Sequence, residues 1–173
     1  MKTFTHLSRI FLAGLSSLAF VASAHAGDVT TTDQLFVKNA YQSGLANTRV
    51  GELAEGKTTN ADVKAFATRL IADAGKANAE LKTLAETKGL SLVNSPSTIA
   101  LANNKILEAK AGADFDKTFA AHMVSDRKRT VEIFERAGAK TQDTDVRAFI
   151  TKTLPTLKGH LAAAQTLQDK VGR

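Results

Sequence analysis

The chain has 173 residues, a net charge of +6, no cysteine, no tryptophan and a single tyrosine. Without thiols it has no disulfides, thiolate metal sites or cysteine chemistry, and with Tyr41 as its one tyrosine it lacks an aromatic platform for sugars or bases. Its basic residues are interleaved with acids rather than gathered in a block, which reads as solvated helix faces and argues against nucleic-acid binding.

The N-terminus carries the three parts of a secretory signal. Lys2 and Arg9 precede an apolar stretch from Ile10 to Val21, and Ala24-His25-Ala26 supplies a small-x-small cleavage site with Gly27 as the new N-terminus. A membrane anchor is the weaker reading, because the run is short, and no other stretch approaches the roughly 20 apolar residues a membrane helix needs. The expectation is a cleavable signal over residues 1–26, and a single domain over 27–173 in the periplasm or secreted. Removing 26 of 173 residues leaves 147, enough for one core. Two of the 23 basic residues and none of the 17 acidic ones go with the signal, so the mature charge is +4.

The mature chain reads as helix almost throughout. A first long helix is predicted over Thr32 to Ala54, with Leu35, Phe36, Ala40, Val50 and Leu53 on one side. Asn60 is a plausible N-cap for a second, which ends at Gly89. Its apolar stripe is Val63, Ala67, Leu70, Ala74, Ala77, Leu81 and Leu84. A connector from Leu90 contains Asn94-Ser95-Pro96 and a short helical piece over Ser97 to Glu108, broken by Gly112. The third long helix spans Ala113 to Ala137, with Phe115, Phe119, Met123, Ile133 and Phe134 apolar and Gly138 as its stop. The fourth runs from Asp143 to Lys170 with the stripe Val146, Ile150, Thr153, Leu157, His160, Ala164, Leu167 and Val171. Spacings alternating four and three, two short turns and one long link predict an all-α fold. The expected form is a ferritin-like antiparallel four-helix bundle whose long second-to-third crossover contains a short extra helix.

Polar residues interrupt the stripes: Ser43 and Asn47 on the first helix, Asp73 on the second, His122 and Asp126 on the third, His160 on the fourth. Buried polar groups need hydrogen bonds or a metal. His122, Asp126, His160 and Asp73 would make a mononuclear iron, manganese or zinc site. The alternative is a satisfied hydrogen-bond network with no cofactor, which two histidines favour, since a metal site would need both. Pro155, inside the fourth helix, frees the Thr151 carbonyl and predicts a bend, one that fits the helix round the core or one that turns His160 inward.

The segments FVKNAYQSGLANTRVGELAE, VKAFATRLIADAGKANAELKTLAETKGL, FDKTFAAHMVSDRKRTVEIFE and VRAFITKTLPTLKGHLAAAQ resemble the bacterial ferritin-like family catalogued as domain of unknown function 4142. Its members are often labelled membrane or outer-membrane proteins. The likeness spans about Asp33 to Gln168, and Leu154-Pro155-Thr156-Leu157 with His160-Leu161 is its most specific part. The resemblance implies a polar or metal-holding layer with a glutamate where this chain has Asn47, Asp-His where it has Asp73-Ala74, and Asp-His where it has Asp126-Arg127. Only His160 stands. The resemblance therefore implies a lost dinuclear site. Arg127 either reaches inward to pair with Asp73 or Asp126, its guanidinium filling the metal's space, or points to solvent. The polar layer to examine is Asn47, Asp73, Asp126, Arg127 and His160.

No nucleophile elbow, phosphate loop or dinucleotide motif is present. The leading expectation is a non-enzymatic interaction or stress-related module with a degenerate metal site. The alternative is a metal-binding or redox protein using His122, Asp126 and His160. Envelope proteins or polysaccharide are the candidate partners, and the basic faces allow weak peripheral membrane association.

Overall fold

The computed structural model describes residues 29–172, so the expected signal and its cleavage site at Ala26-Gly27 lie outside the described residues. Among the described residues the chain is all-helical. Its helices are α1 (Thr31–Lys57), α2 (Ala61–Thr87), α3 (Thr98–Glu108), α4 (Gly112–Lys140) and α5 (Thr144–Val171). None is long and apolar enough to cross a membrane.

Local chemistry sets most of these boundaries. Asn60 caps α2 by accepting from the Asp62 and Val63 N–H groups at 2.9 and 3.3 Å, and Asp143 caps α5 through Asp145 and Val146 at 2.9 and 3.0 Å. Gly89, at φ +65°, ends α2. There the Leu90 N–H reaches the Ala85 carbonyl at 2.8 Å while Leu90 packs into the same apolar cluster as Ala85, a Schellman stop.

Two expectations at the ends of helices need correction. α1 continues past Ala54 to Lys57. Gly138 does not stop α4, which runs on to Lys140. A Cβ at Gly138 would sit 3.1 Å from Ile150 Cγ2, so this glycine lets α4 and α5 approach closely rather than breaking the helix.

α1 packs along α2, α4 along α5, and the two pairs meet chiefly through α2 and α5, while α1 and α4 are in looser contact. The buried apolar residues form two clusters. One gathers Val50, Ala54, Phe66, Leu70, Phe115, Phe119, Met123 and Leu167; the other gathers Phe36, Val37, Leu81, Val131, Phe134, Val146, Phe149 and Ile150. α1 and α5 run from the second cluster to the first, and α2 and α4 from the first to the second. Helices in closest contact therefore run in opposite directions, whereas α2 and α4 run the same way. The segment between those two must return along the body. Leu90 and Leu92 pack on the second cluster and Leu107 on the first, so the crossover, with α3 in it, makes that return.

Two residues placed on core faces by the sequence are exposed: Leu35 at 55% and Ile133 at 39%. On α4 the buried line is Phe115, Phe119, Met123, Arg127, Val131 and Phe134. A register drawn through Ile133 puts Asp126 at the core position; drawn through Val131 it puts Arg127 there. Phe66 and Val37 are core residues outside the predicted stripes.

Salt links hold the ends. Lys88 pairs with Asp143 at 2.8 Å and Asp145 at 2.6 Å, tying the end of α2 to the start of α5. At the opposite end Thr58 donates to Asp116 at 2.6 Å, tying the α1–α2 turn to α4.

Candidate functional site

The two apolar clusters are separated by a polar layer to which each long helix contributes one main side chain: Asn47 from α1, Asp73 from α2, Arg127 from α4 and His160 from α5. Arg127 is only 2% exposed, among the deepest large side chains in the protein. Its guanidinium donates to Asn47 Oδ1 and to Asp126 Oδ2. A buried cation needs such partners, since removing its hydration costs several kcal/mol. Asp126 itself is partly exposed. Of the two carboxylates named for Arg127, Asp126 is the one it reaches.

Asp73 bonds to His160 instead, Nε2 to Oδ2 at 2.8 Å. Arg69 and Lys76 stand over Asp73 from the surface at 3.6 and 4.0 Å. Burial lowers the pKa of His160, opposed by its bond to Asp73 and assisted by the nearby Arg127 charge. The ring is thus neutral at pH 7. With a carboxylate as the Nε2 partner, the proton sits on Nε2 and Nδ1 is left as a bare acceptor. Nδ1 is buried without a partner, and so is the Arg127 Nε–H donor.

Both residues line one partly open pocket of about 60 Å³, together with Asn47, Asp73, Ser43 and Thr153. Its lining is otherwise largely apolar, so an ordered water there would rest chiefly on this orphaned donor and acceptor.

Asn78, which the sequence reading did not single out, fixes one wall. A Cβ on Gly44 would lie 2.0 Å from Asn78 Oδ1, so α1 presents bare backbone to this amide. With its amide oriented to satisfy both groups, Asn78 donates to the Tyr41 carbonyl at 3.3 Å and accepts from the Leu45 N–H at 3.1 Å. An asparagine one turn beyond Ala74, facing a glycine on the neighbouring helix, is the signal that locates it.

His122 lies elsewhere. It is half-buried and faces, with Asp126, an adjoining groove of about 390 Å³ between α1, α3 and α4, which shares Ser43, Asn47 and Thr130 with the first pocket. Burial lowers its pKa as well; Asp126 pulls upward and Arg127 adds to the lowering. The four expected metal ligands are therefore divided. Asp73 and His160 bond to each other beside the inner cavity, while His122 and Asp126 line the outer groove. Among the described residues no group of three or more His, Cys, Asp or Glu side chains is placed to hold one ion. A metal at the layer would also meet the Arg127 guanidinium, a fixed cation with no lone pair. The residues present do not fit a dinuclear centre.

Pro155 lies on the exposed side of α5, which is helical on both sides of it. The carbonyl of Thr151, also exposed, loses its usual partner toward water.

A family model described as Domain of unknown function (DUF4142) matches residues 19–167. No curated protein matches the chain. No solved structure matches it.

Proposed function

The chain belongs to the DUF4142 family, and from that premise we propose that it is an exported, non-enzymatic interaction or stress-related module of the bacterial periplasm. On this reading its four long helices form a ferritin-like four-helix bundle in which a guanidinium stands where relatives would hold metal. The observation that carries the reading is the burial of Arg127 between Asn47 and Asp126 in the layer separating the two apolar clusters. An internal cation neutralises the carboxylate beside it, as a metal ion would, but offers no coordination site and no redox chemistry. The scaffold then keeps its packing while its surfaces remain available for recognition. The signal-like start of the sequence supports export, and the absence of a nucleophile or phosphate-loop pattern supports a non-catalytic role.

Two measurements test this. Protein recovered from the periplasm should begin at Gly27 and carry well under one equivalent of iron, manganese or zinc. Near-stoichiometric metal that disappears in His160→Ala would overturn the degenerate-site reading. Retention of residues 1–26 in a cytoplasmic fraction would overturn export.

A further inference from the structure

The seam between α1 and α4 is the loosest contact between neighbouring long helices, and it holds the groove of about 390 Å³, closed at one side by α3. That volume lies within the range of small-molecule sites, about 300–1,000 Å³. Along α4 the residues Asp126, Arg129, Thr130 and Ile133 follow the i, i+3, i+4, i+7 spacing of one helix face, and all line the groove. Asp126 and Arg129 are one turn apart, yet no carboxylate among the described residues lies within 4.0 Å of the Arg129 guanidinium. Asp126 Oδ2 is committed to Arg127, while Oδ1 makes no hydrogen bond among the described residues. The groove therefore presents one anion and one cation side by side, each with unused capacity.

Two further observations mark this as a ligand site. Asn104 lines the groove at 4% exposure, and its Nδ2 donor has no partner. The exposed isoleucines Ile99 and Ile133 border the same groove, giving it an apolar lip beside the charged pair.

We infer that the α1/α4 groove binds an α-amino-acid zwitterion, free or as the two ends of a short peptide, through its opposed charges and its apolar lip. The ligand ammonium pairs with Asp126 Oδ1. Its carboxylate takes Arg129, and the Asn104 amide, buried beneath the groove, becomes a second donor when its side chain turns outward. An aliphatic side chain lies on Ile99 and Ile133. The two ends of a dipeptide, several ångströms apart, match the roughly 4.5 Å rise from Asp126 to Arg129, whereas a free amino acid, with both charged groups on one carbon, requires the two side chains to close on it. The site adjoins the Arg127 layer, sharing Asp126 and Asn47 with it, and needs no metal there.

The test is calorimetric titration of the purified full chain with leucine, dileucine and their N-acetylated and C-amidated forms. The expected result is saturable binding of leucine or dileucine that falls tenfold or more when either end is capped, and again in Arg129→Gln. Arg129 is exposed, so this variant folds as the parent does, which its melting curve checks. Ile133→Ser should weaken aliphatic ligands more than glycine or diglycine. No saturable binding by leucine or dileucine, or binding that keeps its strength after either cap or in Arg129→Gln, would overturn the assignment.

Discussion

Replacing Arg127 tests whether the guanidinium is an internal structural group. Truncation to alanine empties a large, 2% exposed site and leaves Asn47 Oδ1 without its donor. Emptying a fully buried large side-chain site costs about 3–5 kcal/mol, whereas the Asp126 carboxylate, partly exposed, regains water. For a domain of this size each kcal/mol moves the melting temperature by about 2–4 °C, so Arg127→Ala should melt roughly 10 °C lower. Arg127→Met should behave differently. Its thioether refills the volume of the arginine stem, and the desolvation cost of a buried charge disappears. Asp126 regains water here too. Asn47 can be reached by water through the cavity of about 60 Å³. Arg127→Met should therefore lie within about 1 kcal/mol of the parent, and adding Asn47→Leu, which joins the two apolar clusters, should match or exceed it. Urea unfolding followed by circular dichroism reads all three. A loss under about 0.5 kcal/mol for alanine, the behaviour of a surface residue, would refute the burial argument. A methionine variant as weak as the alanine one would show that the charge itself holds the layer together.

The buried histidines make stability depend on acid. Both His122 and His160 have pKa values pushed below the ordinary 6.5, by burial first. The unfolded chain thus takes up protons at a higher pH than the folded one, and stability should fall as pH drops from about 6.5; His160→Gln should flatten that slope in urea midpoints measured from pH 7.5 to 5. Asp143 is held below its ordinary value: burial, the largest influence, pushes upward, but the Lys88 bond and the N–H groups of Val146 and Asp145 together outweigh it. Asp143→Ala removes a helix cap and strands Lys88, so a loss of about 3 kcal/mol is expected, seen as a lowered urea midpoint. Lys88 is raised by its bonds to Asp143 and Asp145, so the stability it supplies is complete below its ordinary value near 10.5 and is lost as pH rises through its higher folded value. Gly44→Ala should cost about 1–3 kcal/mol in thermal melts, because its Cβ would collide with Asn78; Asn78→Ala in the same chain should recover part of that loss, and a purely additive double variant would contradict the contact.

The helices were legible because every level of the sequence points the same way there. Asn60 and Asp143 precede periodic stretches, Gly89 follows one, and the α2 and α5 stripes keep their four-three spacing for about six turns or more. The α4 register was harder to read because it depends on one choice between two β-branched residues. Val131 and Ile133 are equally apolar, but only Val131 continues the line from Phe119 through Met123. The pattern of hydrophobicity offers no reason to put an arginine on that line. What places Arg127 inside is its partner on another element, Asn47, and a partner eighty residues away leaves no periodic trace. Gly138 misled for a related reason: a glycine that admits a neighbouring helix and a glycine that ends its own helix look alike until the neighbour is known.

The division of the core has a consequence for how the halves of the molecule communicate. Each long helix passes through both apolar clusters, but the clusters meet only across the layer of Asn47, Asp73, Arg127 and His160. Within that layer Arg127 bonds to Asn47, which borders both the inner pocket and the groove, and to Asp126, which lies on the groove between α1 and α4. A ligand ammonium on the free oxygen of Asp126 would draw charge density away from Arg127 and leave the guanidinium more dependent on Asn47. Asn47→Leu should therefore weaken zwitterion binding in the groove, whose lining Asn47 shares, by removing the oxygen that holds Arg127. By linkage, the ligand should stabilise the parent protein more than the Asn47→Leu variant at equal free ligand concentration. Equal affinities in the two proteins would mean that groove and core layer act independently, and that Asp126 serves the two sites without coupling them.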